Sequence, residues 1–438
     1  MDFITYLYQS MKEQLPQLIN GYEGELSASS LSAMETNVKE MALEIGNEIV
    51  AHWLEAQDQK YPDDEKTCPH CGGQAKYVRR RVGKSMTLQG AVDYNRNYYC
   101  CDACHGGFYP LDMKLGIRPG QMSDEVIQLA ALLGIDDAFG TGQDLLKRFT
   151  LLELSPNSIR KATHVVGEKI MTREQELIGQ SHDFEAQKHR QQSASRPQRL
   201  YGSMDGFKVL FEDGWHDMKA GVWWTPKIDK HGEIKAADLR YYTDFLPANE
   251  FSQLVWATGF EQQADIAKEL IFVADGADWI WRIVDQHYPQ AVQIVDGYHA
   301  CAYIAPVAKV AFSDPHKQEQ WIEAVKSALW DGQLDEVIRA CQQQVNSQRA
   351  DDPAQKAVTY YQNNRHRMDY AQYRNVGYQI GSGSMESGCK QLGLARLKIA
   401  GARWSSNGAT LVAKARATYL SGYWDELNSP SHTLPQDA

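Results

Sequence analysis

Two cysteine pairs, Cys68/Cys71 in "CPHCGG" and Cys101/Cys104 in "YYCCDACHGG", constrain this chain more than any other feature. A two-residue spacer lets both thiolates of a pair reach one tetrahedral zinc, and two pairs close its coordination sphere. Such an ion is structural, with no position left for a reacting group. Gly72 and Gly73 suit the tight turn after the first pair. Cys100 and His105 flank the second pair and could replace a ligand there; Cys101 is favoured because it keeps the C-x-x-C spacing with Cys104. Cys301, Cys341 and Cys389 are scattered, which fits buried thiols in a reducing compartment, where disulfides are disfavoured. The alternating segments "QAKYVRRRVG" and "AVDYNRNYYC" between the pairs predict a β-rich zinc module over residues 61–118.

At 438 residues the chain has room for several domains, and 43% hydrophobic with 23% charged residues is the balance of a soluble globular protein. No apolar run reaches the roughly 18 residues of a membrane span, and "MDFITYLYQSMKEQ" lacks a basic leader and cleavage site, so a cytoplasmic location is expected. The formal net charge of −11 is unevenly spread. Residues 1–60 are acidic, whereas "KYVRRRVGKSMTLQGAVDYNR" is basic, so the average does not exclude a nucleic-acid partner. Residues 1–60 are expected to form two or three helices: Met34, Val38, Met41, Ile45 and Ile49/Val50 recur at helical spacing within Ser27–Gln57, a face expected to pack against another helix. Helical spacing resumes over 119–198, where Ser155-Pro156 supplies an N-cap and first-turn proline; "SHDFEAQKHRQQSASRPQRL" ends that region as a linker or exposed helix end.

From Tyr201 the pattern changes. "RLYGSMDGFKVLFE", "GWHDMKAGVWWT" and "ADLRYYTDFL" read as three consecutive strands; the helix "NEFSQLVWATGFEQQ", the strand "ELIFVADGA", the helix "DWIWRIVDQHY" and the strand "AVQIVDGYH" follow. This mixed α/β order is that of an RNase H-like core over 199–302. An α-helical insertion (303–375) interrupts it before its last part (376–426), and residues 427–438 read as a flexible tail. The expected class is thus multidomain α+β.

Three carboxylates stand out. Asp205 lies mid-strand in "SMDG", where burial is costly unless the group is paired or metal-bound; its plainer role is a turn residue before Gly206. Asp275 ends an apolar strand in "IFVADGA", a usual place for open-sheet sites, though it or Asp278 could simply cap the next helix. Glu386 in "GSGSMESGCK" is followed, as far as Tyr423, by no acidic residue but by Lys390, Arg396, Lys398, Arg403, Lys414 and Arg416. Three gathered carboxylates repel one another, and a divalent cation relieves this; two magnesium ions clamp both oxygens of a phosphodiester exchange. The basic segment would then carry a phosphate backbone, its plainer reading being a solvated helix face. "IVDGYHA" adds Asp296 and His299, which by spacing alone are as well a hydrogen-bonded core couple.

Over Cys68–Trp424 these motifs, with "ADGADWIW", "RLKIAGARWS" and "YLSGYWDE", resemble the ISKra-type family of bacterial insertion-sequence transposases, among the Mutator-like DDE transposases. The doubled Cys100-Cys101 departs from the family's single cysteine. The resemblance implies that Asp205, Asp275 and Glu386 form the catalytic triad, holding two Mg2+ (Mn2+ substituting), with Asp296 and His299 in support. It implies a DNA transposase that binds the terminal inverted repeats of its element and catalyses strand cleavage and transfer. The partner would be double-stranded DNA at element ends and target, and the active form a homodimer or higher oligomer at the nucleoid. Arg79, Arg80 and Arg81 of the zinc module, Arg160 and Lys161 on the helix-turn-helix-like "SPNSIRKATHVVG", and Lys390, Arg396, Lys398 and Arg403 are the expected DNA contacts. The rivals are a domesticated transposase acting as a non-catalytic DNA-binding regulator, and a stand-alone RNase H-like nuclease.

Overall fold

The computed structural model describes residues 30–58, 65–118, 121–193, 196–345 and 352–428, with a few positions among the first sixteen. Most of the helices expected before Ser30, and the tail from 429 onward, lie outside the described residues. The chain forms two compact units, residues 1–165 and 166–438.

In the first unit, helix α1 (Leu31–Gln57) begins where the Ser30 hydroxyl accepts from the Ala33 N–H. An antiparallel sheet follows in chain order: β1 (Lys66–Thr67), β2 (Gln74–Thr87), β3 (Gly90–Cys101) and β4 (Gly107–Phe108). A bulge between Tyr77 and Arg79 shifts the β2–β3 register. Beyond it Gly83 lies opposite Tyr94, where a Cβ would stand 2.0 Å from the Arg96 guanidinium. That space admits a buried ion pair: Arg96 Nε donates to Asp112 Oδ2 at 2.6 Å, and the Tyr94 hydroxyl to Oδ1 at 3.0 Å. Asp112 belongs to helix α2 (Pro110–Leu115). Val92, Tyr94 and Leu111 pack there against Val50, Ala51 and Leu54 of α1, while Met34 and Val38 of the same helix stay exposed.

Helices α3 (Asp124–Asp136) and α4 (Phe139–Thr150) and the start of α5 (Pro156–Ser181) close around Val126, Ala130, Leu146, Ile159 and Ala162. Leu151 ends α4 in the left-handed region (φ 63°), and the Ser155 hydroxyl caps α5 by accepting from Ser158 N–H at 3.1 Å. Gly134 lets α3 press on α5, since a Cβ there would stand 2.1 Å from the Thr163 hydroxyl. In the polar stretch after α5 lies helix α6 (Phe184–Ser193).

The second unit is built on a five-stranded sheet of order β7-β6-β5-β8-β9. Strands β5 (Arg199–Phe211), β6 (Gly214–Ile228) and β7 (Ile234–Asp244) form an antiparallel meander; β8 (Glu269–Ala274) runs parallel to β5, and β9 (Val292–Val295) parallel to β8. Helix α7 (Ala248–Glu261) links the meander to β8, and α8 (Asp278–His287) links β8 to β9. The Trp223 indole, fully buried, donates to the Thr258 hydroxyl at 3.0 Å and meets Phe272 and Tyr288 edge-on.

After β9 come α9 (Gly297–Ala302), α10 (Ile304–Ala311), α11 (Pro315–Trp330), α12 (Leu334–Gln342), α13 (Pro353–Asn363) and α14 (Tyr370–Asn375). Tyr361 and Tyr370 tie these helices to the sheet end, donating to the carbonyls of Ala300 (2.9 Å) and Val295 (3.0 Å). Helix α15 (Gly383–Cys389) continues into a π-helical segment, Lys390–Leu397; α16 (Ser406–Leu420) and α17 (Trp424–Asn428) end the described chain. Among the described residues no helix is long and apolar enough to cross a membrane.

Helix α16 is buried along Gly408–Ala417, which places Lys414 in the interior at 1% exposure. Its ammonium meets the Glu174 carboxylate of α5, Asp244 Oδ2 at 2.7 Å and the Thr243 carbonyl at 3.0 Å. Lys414→Met should therefore lower stability by about 3–5 kcal/mol, since two carboxylates are left buried without their cation. Lys390→Met, which breaks an exposed pair with Glu386, should cost less than about 1 kcal/mol. Urea denaturation of the two variants checks this, and equal midpoints would show that the buried cluster contributes nothing.

Candidate metal centre and carboxylate site

The two C-x-x-C segments fold as matching knuckles. Cys68 N–H donates to the Gly73 carbonyl and Gly72 N–H to that of Cys68; Cys101 N–H donates to Gly106 and His105 N–H to Cys101. The fifth position of each knuckle is left-handed, Gly72 at φ 74° and His105 at φ 56°. This pairing brings Cys68 Sγ to 3.6 Å from Cys104 Sγ and Cys71 Sγ to 3.5 Å from Cys101 Sγ, with all four sulfurs within 4.8 Å of one another. Such a gathering fits the thiolate shell of one tetrahedral zinc. Backbone N–H groups of Cys104 and Ala103 hold the Cys101 thiol down to about 7, while Cys104, against the Gly106 N–H that lowers it, is pushed up to about 12 by the neighbouring sulfurs and burial. Cys100 points its sulfur at the His105 carbonyl at 3.8 Å, and neither Cys100 nor His105 joins the cluster. Purified protein should thus hold one zinc per chain, lost in Cys68→Ser and Cys104→Ser but kept in Cys100→Ser and His105→Gly; metal content by mass spectrometry decides, and loss from either of the latter would redraw the ligand set.

In the second unit the β5–β8 ladder ends at Gly202↔Phe272, and Asp205 and Asp275 each lie three residues further along their parallel strands. The next ladder ends at Ala274↔Val295, so Asp296 follows at the same level. Register alone thus aligns three aspartates at one level of three neighbouring strands, Asp205 in the middle of β5 and Asp275 and Asp296 just past the ends of β8 and β9. Asp205 is half-buried: Gly206 N–H donates to its Oδ1 at 2.7 Å, and the Cys389 thiol to Oδ2 at 3.5 Å. Burial raises its pKa above the ordinary 3.8; the negative charge of Asp275 adds to this, against the Gly206 and Cys389 hydrogen bonds and the nearby His299. Asp275 Oδ1 accepts from Ala277 N–H at 2.9 Å, so it shapes the turn into α8 while leaving its other oxygen to the site.

Asp296 caps α9, its Oδ1 accepting from the N–H groups of Tyr298 (2.7 Å) and His299 (2.8 Å). Its Oδ2 accepts from Ser382 N–H at 2.6 Å and the Ser382 hydroxyl at 2.5 Å, which fixes the start of α15. The His299 ring is exposed, edge-on to Tyr303. Glu386 sits on α15 one turn before Cys389, but its exposed carboxylate accepts from Lys390 Nζ at 2.7 Å. Asp205, Asp275 and Glu386 are not drawn together within 4.8 Å as the thiolates are. Cys389 is the neighbour that sequence reasoning missed, taken as a scattered buried thiol. Its place three residues after Glu386, on the same helical face, was the available signal.

The expected DNA contacts divide. Arg79, Lys161, Lys390 and Arg403 are exposed. Arg80, Arg81 and Arg160 are half-buried: Arg80 donates to the Asn95 carbonyl, Arg81 lies over the Tyr98 ring, and Arg160 donates to the Asn157 amide oxygen at 2.8 Å. Arg396 corrects the expectation: at 1% exposure its guanidinium lies over the Trp404 ring, out of reach of a phosphate. Lys398 is half-buried, its ammonium 5.9 Å from the Phe207 ring, and its charge bears on Cys389, so it stands on the Asp205 side of the sheet.

Fold and site together define a multidomain α+β protein with a four-cysteine cluster that could hold a metal ion. The chain belongs to the family described as Uncharacterised protein family (UPF0236), whose model matches residues 27–427. No curated protein matches it.

The raised carboxyl of Asp205 has a measurable consequence. Because its folded pKa stands above 3.8, its charge costs stability at neutral pH, and the cost fades as pH falls through the folded pKa and both states become protonated. Without divalent ions, Asp205→Asn should be more stable than the parent at neutral pH, and the gap should close toward pH 3.8. Thermal melts across that range check it, and a pH-independent gap would contradict the crowding of Asp205 by burial and Asp275.

Proposed function

We propose that this protein is a DDE-type DNA transposase with an RNase H-like catalytic core, which cleaves and joins DNA strands at the ends of its own mobile element. The observation that carries the reading is the alignment of Asp205, in the middle of β5, with Asp275 and Asp296, just past the ends of the adjacent parallel strands β8 and β9, and the Glu386 helix docked on Asp205 through Cys389. Strand order β7-β6-β5-β8-β9, antiparallel then parallel, supports the RNase H-like core, and the helices between α9 and α15 support an insertion before the last acidic residue.

Asp205 and Asp275 are the carboxylates that would hold divalent cations, their mutual repulsion being what a cation relieves. A divalent ion held by them would supply Lewis-acid stabilisation of the attacking and departing oxygens. Asp296 orients the entry of α15 and so the position of Glu386. Lys398 lies on the Asp205 side, where a phosphate would meet its charge. In the exchange, oxygen of water or of a strand's 3′-hydroxyl bonds to phosphorus while the bond to the leaving 3′-oxygen breaks. Arg79, Lys161 and Arg403, exposed, supply salt-sensitive contacts to the backbone of double-stranded DNA.

The Glu386–Lys390 pair favours a second reading, a DNA-binding regulator derived from such an enzyme. One assay separates them: magnesium-dependent cleavage of a duplex carrying the element's end. The parent should cleave, and Asp205→Asn, Asp275→Asn and Glu386→Gln should each lose orders of magnitude in rate while still binding DNA, with double variants little worse than single ones. A parent that binds the end without cutting it would establish the regulator instead.

A further inference from the structure

The end of β8 opens onto a cleft of about 740 Å3 between the turn after Asp275 and helix α13, a size that suits a nucleotide-sized ligand. Its floor is a pair of half-buried tyrosines, Tyr303 and Tyr360, stacked at 4.0 Å between centroids and 15° between planes. Both feel the charge of Asp275, so the stack stands beside that carboxylate. Gly276 makes this approach possible, since a Cβ there would stand 2.4 Å from the Tyr360 ring. The Tyr360 hydroxyl is buried with no hydrogen-bond partner. Around the stack the lining carries the exposed amide of Asn363, the buried Asn364 whose amide donates to the Tyr360 carbonyl at 3.0 Å, the carboxylate of Asp278 at the start of α8, and Lys356, exposed and paired with no carboxylate among the described residues.

Stacked aromatic rings, side-chain amides and one free cation are the groups that take a base by its face and edge and a phosphate by its charge. A base inside a duplex offers no face, so the ligand must be unpaired. We propose that this cleft binds one unpaired nucleotide of the DNA strand next to the reacting phosphate, its base on the Tyr303–Tyr360 stack and its phosphate at Lys356. The inference rests on the DNA strand-transfer reading of the Asp205–Asp275 site and adds to it a subsite for locally opened DNA. The helices of the insertion, on this view, supply a wall of the substrate site.

The test uses the full chain and two probes: a short duplex, and the same duplex with one unpaired fluorescent purine analogue whose emission falls on stacking. The parent should bind the second about ten-fold or more tighter, the effect of one base stacked on an aromatic ring, and should quench it. Tyr303→Leu should abolish the quenching and bring the affinity ratio toward one; Lys356→Ala, a surface change that spares the fold, should lower the ratio and leave the quenching at saturation. A cooperative thermal melt with parent-like circular dichroism reports whether each variant is folded. Equal affinity of the parent for both probes, or quenching that survives Tyr303→Leu, would overturn the proposal. Cleavage of the element's end without any preference for the unpaired base would sink this subsite alone; the preference without cleavage would keep the subsite and sink the enzyme reading.

Discussion

Four hydrogen bonds converge on the Asp296 carboxylate, and the geometry of the second unit's site depends on them. A carboxylate at 7% exposure is tolerable only when its charge is answered, and here backbone N–H groups at a helix start answer it on one oxygen and Ser382 on the other. The same residue's N–H donates to the Ala274 carbonyl at 2.7 Å, and Gly297 N–H to Ile380 at 2.9 Å. One residue therefore locks together the end of β8 beside Asp275, the start of α9 with His299, and the start of α15 with Glu386. Without that lock, the start of helix α15 would lose its tie to β9, leaving its packing on β5 and β6 and the hydrogen bonds of Cys389 to Asp205 and of Tyr241 to the Ser384 carbonyl.

The site was legible in the sequence where chemistry and local pattern coincide. C-x-x-C spacing located the four thiolates, a carboxylate in mid-strand located Asp205, and an apolar strand ending in aspartate located Asp275, because these features are properties of a few consecutive residues. The basic segment after Glu386 was less legible. Its lack of nearby acidic residues suggested a phosphate track, yet Lys414 finds its acids on α5 and β7, far away in sequence, and Arg416 donates to the Gln391 carbonyl. Charge balance in a folded core is settled across elements, so counting charges along one stretch cannot separate a solvent-facing cation from a buried one. Arg396 was misread for that reason, and Cys389 was passed over because a thiol's partner is not written beside it.

The zinc module shows how a small β-sheet can manage with a thin core. Its apolar cluster beside the four sulfurs is Cys68, Ala75, Tyr99, Cys101 and Phe108, in which two of the five members belong to the cysteine cluster itself. With so little apolar burial there, an ion held by the four thiolates would supply a large share of local stability. His105 takes the left-handed position that glycine fills in the first knuckle, a conformation that costs a residue with a Cβ on the order of 1 kcal/mol. The closed four-sulfur shell is what makes that cost tolerable.

The Asp296–Ser382 contact also explains how a long helical excursion can sit inside a site without disturbing it. The two residues are 86 positions apart, and everything between them, α9 to α14, begins and ends at that one hydrogen-bonded junction. Loop-closure entropy grows only slowly with length, so an insertion closed at its base can be long at little cost. Tyr361 and Tyr370 then fasten the excursion to the sheet end through the carbonyls of Ala300 and Val295, which turns α13 and its Tyr360 ring toward Gly276. The carboxylates are thus held by strand register and the Asp296 junction, while the cleft beside them is walled by helices attached at the same point. The register of the parallel strands places the carboxylates, and the helices between Asp296 and Ser382 are free to shape the cleft beside them.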